Sequence, residues 1–578
     1  ERLTGSHPDW SAVRGLADAA IALTLRWEEL SDTAVSHTLT QAQAVLADHG
    51  WAAGADHSTI LPAGMLARVR AIAGAAAHAA STSNAVDAAA MENSLARLGE
   101  HVLGSRYRAE QLAAQMAVRV ARWLLTPPPA APQSLADAVA GYRADGAWVD
   151  RAIAVLWDGS SDPETTQHFA TLVTQARQRR ADNERQSSGV ISGEVVDRHD
   201  VIGIEFVWDR VVRPLAAEQP VLWLVLDGMS AGVASELDSD IVREGWSELV
   251  REGSTGAVTA VATIPSITTL SRASLFSGTL ARGGQDVEKA ALAQRGGALF
   301  HKDDLRSGAG QALPAEVTTA IANPNMAVVG VVLNTIDDAL ARHDPGGTRW
   351  TLPTVQHLRS LLVAAATAGR IVVLTSDHGH VVERGGEARM VTGAAQRWRA
   401  VGTGEPGAGE LHVTGPRVLV DGNAVIVAQQ EDLRYAAKAA GYHGGVSLAE
   451  LTVPISVYRQ AHTPMPAGWI DAAPAAPRWW NEPLGTADAK ALADVPPPAT
   501  APRRPSRTAA PTVGDVPLDF EIDTTEPVAA TTLSRTLSAK LLQSDVYASQ
   551  KARAGRAALD DRLVEALIET LENGGGRA

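Results

Sequence analysis

Cysteine is absent from this chain, and aromatic residues make up only 4% of it. Without a thiol the protein holds no disulfide framework, no iron–sulfur cluster and no structural zinc site built on thiolates. Any metal ion must therefore be bound by oxygen and nitrogen atoms. Trp, with 14 copies against 6 Tyr and 5 Phe, dominates the aromatic residues, and we expect these side chains to anchor cores.

Long apolar runs and an excess of positive charge are also missing. No stretch reaches membrane-spanning length and no signal peptide is recognisable, so we expect a cytoplasmic protein with no membrane partner. The net charge of −14 argues against a protein that coats nucleic acid, although an enzyme could act on DNA through a local patch. Two arginine clusters, at 177–180 and 503–507, are expected to be solvated linker charge. Because the sequence begins at Glu1 and not at Met, we expect it to be part of a longer chain.

Three apolar runs of strand length end in polar residues. Such continuous, non-alternating runs are typical of parallel strands buried on both faces, and ligands bind beyond the carboxyl ends of such strands. Carboxylates and imidazoles gathered there are costly to desolvate unless a cation lies among them, so the pattern predicts a site for two metal ions. The runs and the polar residues after them are Val221–Leu226 with Asp227, Ile371–Ser376 with Asp377 and His378, and Ala327–Leu333 with Asn334, Asp337 and Asp338.

A segment rich in hydroxyl groups, Thr263–Gly278, lies between the first two runs. Pro265 is followed by hydroxyl residues and then by helical periodicity, which predicts the start of a helix with a side-chain cap. A hydroxyl at that position can act as a nucleophile, while the free N–H groups of the helix bind an anion. The segment therefore predicts a phosphate-binding nucleophile loop.

These motifs together resemble the alkaline phosphatase superfamily, and within it the PglZ family of bacterial phage-defence systems (BREX and Pgl). The resemblance extends over roughly Val201 to Arg459, and its motifs follow one another in the family's order. They are Leu226–Ser230 (first metal motif), Ile264–Gly278 (nucleophile loop), Asn334–Asp337, Thr375–Gly379 (Asp-His-Gly) and Tyr442–Pro454, which supplies the last histidine.

The resemblance implies a ligand set for two divalent metal ions, usually zinc. Asp227, Thr268, Asp377 and His378 would hold one ion, and Asp337, His443 and one further group would hold the other. Related phosphodiesterases have a histidine four residues after the metal-binding aspartate, where this chain has Ala341. The candidates for the missing ligand are Asn334, Asp338, His343 and His380, the last of which we favour as a residue that supports the ligands.

Thr268 is the nucleophile that the resemblance implies, because it lies ten residues before Gly278. Ser266 and Thr269 are the main alternatives, and Ser230 is a third. Arg272 is predicted to pair with a phosphate, with a salt bridge on the helix surface as the alternative. The asparagine that binds phosphate in the family would fall near Ser271, and Lys302 could approach the substrate.

The fold that the resemblance implies is α/β, with an alkaline phosphatase-like central parallel sheet flanked by helices. An all-α N-terminal docking domain would precede it and a small helical C-terminal module, with a winged helix as one form, would follow. The polar composition of 177–200 predicts a linker, and Asp421–Asn423 predicts a hairpin turn between 418–420 and 425–427. The predicted regions are 1–185 (helical N-terminal docking domain), 201–465 (PglZ domain), 472–525 (Pro-rich linker) and 530–578 (small helical module).

By resemblance, the protein is a metal-dependent phosphohydrolase that favours phosphodiesters and acts in phage defence. Its implied partners are an adenine-specific DNA methyltransferase and an ATPase, with DNA or another phosphodiester as substrate. The alternative is a scaffold whose phosphatase-like domain binds without catalysis.

Overall fold

The structure, a computed structural model, describes residues 9–28, 31–254, 256–306, 312–341 and 349–483. These residues form two compact units: one contains the described residues up to Ala67 and the segment Glu100–Arg106, and the other contains Arg68–Gly99 and the chain from Tyr107 onward. The predicted C-terminal module, most of the Pro-rich linker, the cluster at 503–507 and His343 lie outside the described residues. No helix in the described ranges is long and apolar enough to cross a membrane.

The N-terminal region is helical, as predicted, and further helices flank the strands that follow. The helices are α1 Trp10–Glu28, α2 Asp32–Asp48, α3 Ala52–Ala55, α4 Pro62–Thr82, α5 Ala85–Ala96, α6 Arg108–Leu125, α7 Leu135–Gly141, α8 Ala147–Trp157, α9 Pro163–Ser187, α10 Arg213–Glu218, α11 Ala231–Arg243, α12 Thr268–Ser277, α13 Gln285–Ala293, α14 Ala315–Ala322, α15 Thr335–Leu340, α16 Leu358–Thr367, α17 Leu448–Leu451 and α18 Arg478–Asn481.

Nine strands form the central sheet, in the order β1-β4-β15-β7-β2-β6-β5, with β3 pairing to β15 and β16 to β3. Only β15 and β16 run against the others, which confirms the predicted α/β fold with a mostly parallel sheet. The strands of this sheet are β1 Val201–Gly203, β2 Val221–Leu226, β3 Trp246–Arg251, β4 Thr259–Val261, β5 Ala298–Phe300, β6 Val328–Leu333, β7 Ile371–Thr375, β15 Thr452–Gln460 and β16 Trp469–Asp471.

The side chains of β2 alternate between two cores, one on each face of the sheet. Val221, Trp223 and Val225 pack in one core, which helices α7 and α12 help to form. The intervening leucines of β2 pack in the other core, with α11, α14 and α16. Burial on both faces explains why the sequence of this strand is continuously apolar.

Seven short strands lie between β7 and β15, and three of them form an antiparallel sheet in the order β10-β12-β11. The predicted hairpin is wrong, because the partner strand of β12 is β11 and not 418–420. Val418 instead forms a parallel bridge with Ile264, at the start of the hydroxyl-rich segment Thr263–Gly278. The seven strands are β8 Val381–Val382, β9 Glu387–Ala388, β10 Trp398–Ala400, β11 Glu410–Thr414, β12 Ala424–Ala428, β13 Leu433–Arg434 and β14 Gly441–Tyr442.

The predicted linker at 177–200 is wrong over its first half, because α9 continues to Ser187. Its arginines are engaged in contacts: Arg179 Nη1 donates to Trp123 O at 2.7 Å, and Arg180 Nη2 to Glu431 Oε1 at 2.6 Å. The start of the predicted Pro-rich linker is also ordered, since the two tryptophans of α18, Trp479 and Trp480, are buried. These charged and aromatic side chains therefore stabilise packing of the helical region.

Candidate metal centre

Three predicted site residues lie together at the carboxyl edge of the sheet. Asp227 follows β2, while Asp377 and Asn334 follow its neighbours β7 and β6. The registers place Leu226 beside Leu333 and Val225 beside Thr375, so the three strands end at the same level. The interpretation of the strand ends as one site is therefore consistent with the topology.

Asp227, Asp377 and His378 form a compact cluster of side chains that could hold a metal ion. One ligand atom from each lies within 4.8 Å of the others, and all three residues are buried. Asp377 Oδ1 accepts hydrogen bonds from Gly228 N at 3.1 Å and His378 N at 3.0 Å. Asp377 Oδ2 is buried and accepts no hydrogen bond from the described residues. Its lone pairs are therefore available to a metal ion. This donor set fits a divalent cation, because buried carboxylate oxygen is costly unless it is compensated.

The hydrogen bonds of His378 fix its tautomer. Its Nδ1 lies 3.0 Å from Gly379 O, and because a carbonyl oxygen only accepts, Nδ1 carries the proton. Nε2 therefore presents a lone pair to the cluster, where it lies 3.7 Å from Asp227 Oδ1 and 3.7 Å from Asp377 Oδ2. This arrangement, with one ring nitrogen on a backbone carbonyl and the other directed at carboxylates, is typical of a metal-binding histidine.

The electrostatics of the cluster favour an added positive charge. Burial, followed by the charge of Asp377, raises the pKa of Asp227 to about 6. Burial likewise raises the pKa of Asp377, and burial, followed by His443, lowers the pKa of His378 to about 3. The histidine is thus neutral and offers no compensating charge, so the two carboxylates would be stabilised by a cation.

Thr268 is the first residue of α12, and its hydroxyl faces the cluster. Its Oγ1 lies 3.1 Å from His378 Nε2 and 3.3 Å from Asp227 Oδ1. The predicted cap is wrong, because Ile267 precedes α12 and no side chain caps its start. The N–H groups of the first turn can therefore bind an anion.

The other candidate hydroxyls have different environments. Ser266 is fully buried, donates to Gly445 O at 2.8 Å and accepts from Gly444 N at 3.1 Å, so it supports the segment that carries His443. Ser230 caps α11 through Val233 N, and Ser271 lies 2.7 Å from Thr263 Oγ1. Thr269 is exposed. Thr268 is thus the candidate hydroxyl for which the structure gives contacts with both Asp227 and His378.

Arg272 is buried, so the alternative of a salt bridge on the helix surface is wrong. Its Nη1 donates to Asp227 Oδ2 at 2.6 Å and its Nε to Glu288 Oε1 at 3.0 Å. Glu288 in turn contacts His301 Nε2 at 2.7 Å.

Asn334 Nδ2 also donates to Asp227 Oδ2, at 2.6 Å, so this oxygen is held while Oδ1 faces Thr268 and His378. The sequence did not predict the buried contacts from Asp227 through Arg272 and Glu288 to His301, because these residues are distant in sequence and follow no common motif.

Asp337 and His443 form a second, more open cluster. His443 Nε2 lies 3.6 Å from Asp337 Oδ1, and the two side chains are 17% and 31% exposed. His443 Nδ1 lies 3.2 Å from Ser266 O, which leaves Nε2 free to bind a metal. The rings of His443 and His378 stack at 4.1 Å, so the two clusters adjoin.

Three candidates for the missing ligand already have partners. Asn334 donates to Asp227, Asp338 pairs with Lys302, and His380 Nδ1 lies 2.6 Å from Gly228 O. His380 is buried, which lowers its pKa to about 4, and its contact supports the turn after Asp227. Asn334 directly follows β6, and its side chain contacts the first cluster through Asp227.

Comparison with known proteins gives one family match. Residues 207–458 match the model of the BREX system PglZ alkaline phosphatase-like domain. Among solved structures, the chain is similar to murine ectonucleotide pyrophosphatase/phosphodiesterase 5, at 10% identity over 42% of this chain and 88% of that one, with a TM-score of 0.29. It is also similar to phosphonoacetate hydrolase from Sinorhizobium meliloti 1021 in complex with phosphonoformate, at 12% identity over 48% and 95% of the two chains, with a TM-score of 0.26.

No curated protein matches the chain. The family match covers β2, β6, β7 and most of β15, together with the segments that carry Asp227, Thr268, Asp377 and His443. Residues 207–458, somewhat less than half of the chain, therefore match the PglZ family of alkaline phosphatase-like domains.

Proposed function

We propose that this protein is a metal-dependent phosphohydrolase with Thr268 as its nucleophile. The observation that carries the proposal is the position of Thr268 Oγ1, 3.1 Å from His378 Nε2 and 3.3 Å from Asp227 Oδ1, at the open start of a helix. A hydroxyl at that position can share a metal ion with both ligands while the helix binds the phosphate.

The two clusters supply the ligands for two divalent ions, for which we propose zinc. Asp227, Thr268, Asp377 and His378 would hold the first ion, and Asp337 and His443 the second, with Asn334, Asp338 or His343 as the further ligand. When bound, the ions lower the pKa of the Thr268 hydroxyl and neutralise the oxygens of the phosphoryl group and leaving group.

The reaction then proceeds in two displacements. Thr268 gives its hydroxyl proton to solvent, and Oγ1 attacks phosphorus in line with the leaving oxygen. One P–O bond forms to Thr268, and the bond to the leaving group breaks, so that the leaving oxygen departs with the electron pair and takes a proton from solvent. Water then attacks phosphorus and gives one proton to solvent, the bond to Thr268 breaks, and Thr268 Oγ1 takes a proton from solvent. The N–H groups at the start of α12 orient the phosphoryl oxygens in both steps.

A phosphodiester is the proposed substrate class, since it carries one negative charge at the reacting phosphate. Arg272 directs two of its donors to carboxylates, so its guanidinium is poorly placed to neutralise a second phosphate charge. We propose that Arg272 orients Asp227, in place of the phosphate contact predicted from the sequence.

The setting that we propose is BREX-type phage defence in the cytoplasm. An adenine-specific DNA methyltransferase and an ATPase would be its partners, and DNA or another phosphodiester its substrate. The family match over 207–458 supports the system.

A scaffold without catalysis is the second candidate, favoured by the openness of the second cluster, whose two side chains are 17% and 31% exposed. It predicts a protein that holds no divalent metal after purification and gains no hydrolytic activity with added zinc.

Hydrolysis of bis(p-nitrophenyl) phosphate by Thr268 variants tests the proposed function. Thr268→Ala should lower the rate by at least about 100-fold, because it removes the attacking atom, and should leave the fold and the zinc content nearly unchanged. Thr269→Ala, the neighbouring exposed threonine, is the matched control and should retain the rate. Equal rates for Thr268→Ala and the unaltered protein would reject Thr268 as the nucleophile.

A further inference from the structure

The last turn of α9 contacts the segment that carries His443. Glu184 is 3% exposed, and its Oε1 accepts a hydrogen bond from Leu448 N, the first residue of α17, at 3.0 Å. Its backbone oxygen accepts from Gln429 Nε2 at 2.5 Å, next to β12. Glu184, which precedes the family match by more than twenty positions, thus contacts the segment that carries His443.

Helix α17 connects the two segments that carry the metal-binding histidines. On one side, Gly445 N donates to Glu450 Oε1 at 2.8 Å, which fixes the turn after His443. On the other, Gly379 N donates to Glu450 O at 2.9 Å, directly after His378. The approach at Gly379 is so close that a Cβ atom there would lie 1.9 Å from Ala449 O. A shift of α17 would therefore move both histidine segments.

The carboxyl group of Glu184 has one hydrogen-bond partner for two oxygens. Its Oε2 is buried and accepts no hydrogen bond from the described residues. Burial, followed by the charge of Glu431, raises the pKa of Glu184 to about 8, so the neutral form is the main one at pH 7. Glutamine is an isostere of that neutral form and keeps an oxygen that can accept from Leu448 N.

We propose that Glu184 is a positioning residue for the metal centre, which it orders by holding the start of α17. The inference rests on the proposed metal-dependent function. It assigns support of the metal centre to α9, outside the region 201–465 that the sequence predicts as the PglZ domain.

Zinc affinity, measured by competition with a chromogenic chelator, tests the inference on the full chain. Glu184→Leu should weaken zinc binding and slow hydrolysis of bis(p-nitrophenyl) phosphate by about tenfold or more, the usual effect of losing a residue that supports a ligand. Glu184→Gln should restore both to within about twofold, because it keeps the acceptor for Leu448 N. Hydrogen exchange at the Leu448 amide should be fast in Glu184→Leu and slow in Glu184→Gln.

Leu172→Ala is the matched control, since Leu172 is a fully buried residue of α9. It should lower the melting temperature without changing the zinc affinity of the folded protein. If Glu184→Leu does not fold, Glu184→Asp replaces it, because its shorter side chain does not reach Leu448 N, and it should bind zinc more weakly than Glu184→Gln.

Zinc affinity within twofold of the unaltered protein in Glu184→Leu, or equal affinities of the Asp and Gln variants, would overturn the positioning role. Failure of the proposed function gives a different result: the unaltered protein would then neither bind zinc nor hydrolyse the diester, whatever residue occupies position 184.

Discussion

The two halves of the candidate metal centre differ in how the fold builds them. Asp227, Asp377 and His378 follow two central strands of the sheet, are buried, and lie within 4.8 Å of one another. Asp337 and His443 come from a short helix and from the turn after β14, and they remain partly exposed at a separation of 3.6 Å. Strand ends thus preorganise the first half, whereas the second depends on a loop contact, between His443 Nδ1 and Ser266 O at 3.2 Å.

The largest effect should follow from Asp377→Ala. This change removes the carboxylate whose buried Oδ2 has no hydrogen-bond partner among the described residues, and with it a ligand of the first half. Zinc affinity and diester hydrolysis should each fall by at least about 100-fold, because a ligand is lost outright. Asp303→Ala, at a side chain that is 70% exposed, is the control and should match the unaltered protein. Zinc content measured by mass spectrometry decides between these results, and full zinc loading of Asp377→Ala would contradict the ligand assignment.

A smaller effect should follow from His443→Ala, which changes the second half. We expect the zinc content to fall from two ions to one per chain, because the ligands of the first half remain. Hydrolysis should slow, because one of the two oxygens that exchange at phosphorus loses the cation that neutralises it. His412→Ala, at an exposed histidine of β11, is the matched control. Loss of both ions in His443→Ala would show that the halves bind metal as one cooperative unit, contrary to the comparison drawn above.

The smallest effect concerns pH. Asp227 has a pKa raised to about 6, so below that pH zinc must displace a proton from it. Zinc affinity should therefore be nearly constant from pH 7 to 8 and fall by about tenfold or more per unit below pH 6. His378, with a pKa of about 3, does not compete for protons in this range. Chelator competition between pH 5 and 8 measures the profile, and a flat profile would contradict the assignment of Asp227 as a ligand.

The strand ends and the start of α12 could be predicted from the sequence, because the local pattern of apolar and polar residues determines them. The apolar runs before Asp227 and Asp377 are continuous since both faces of those strands are buried, and α12 begins at Thr268, as the hydroxyl-rich segment after Pro265 indicated. Each of these features depends on neighbours within a few residues.

The role of α9 could not be predicted, because its buried face carries charge. Arg180 and Glu184 have the composition of a solvated linker, and their partners, Glu431 and Leu448, lie about 250 residues further along the chain. The same reason explains the wrong hairpin: Val418 pairs with Ile264, a partner that no local turn signal indicates. Charge pairs and bridges between distant segments leave no periodicity in the sequence.

The central claim is that divalent metal lies among Asp227, Asp377 and His378. An anomalous difference map, recorded at the zinc edge from crystals grown with zinc, tests it directly. We expect a peak within bonding distance of Asp227 Oδ1, Asp377 Oδ2 and His378 Nε2, and a second peak beside His443 Nε2. Crystals that bind zinc elsewhere but show no peak in this cluster would contradict it.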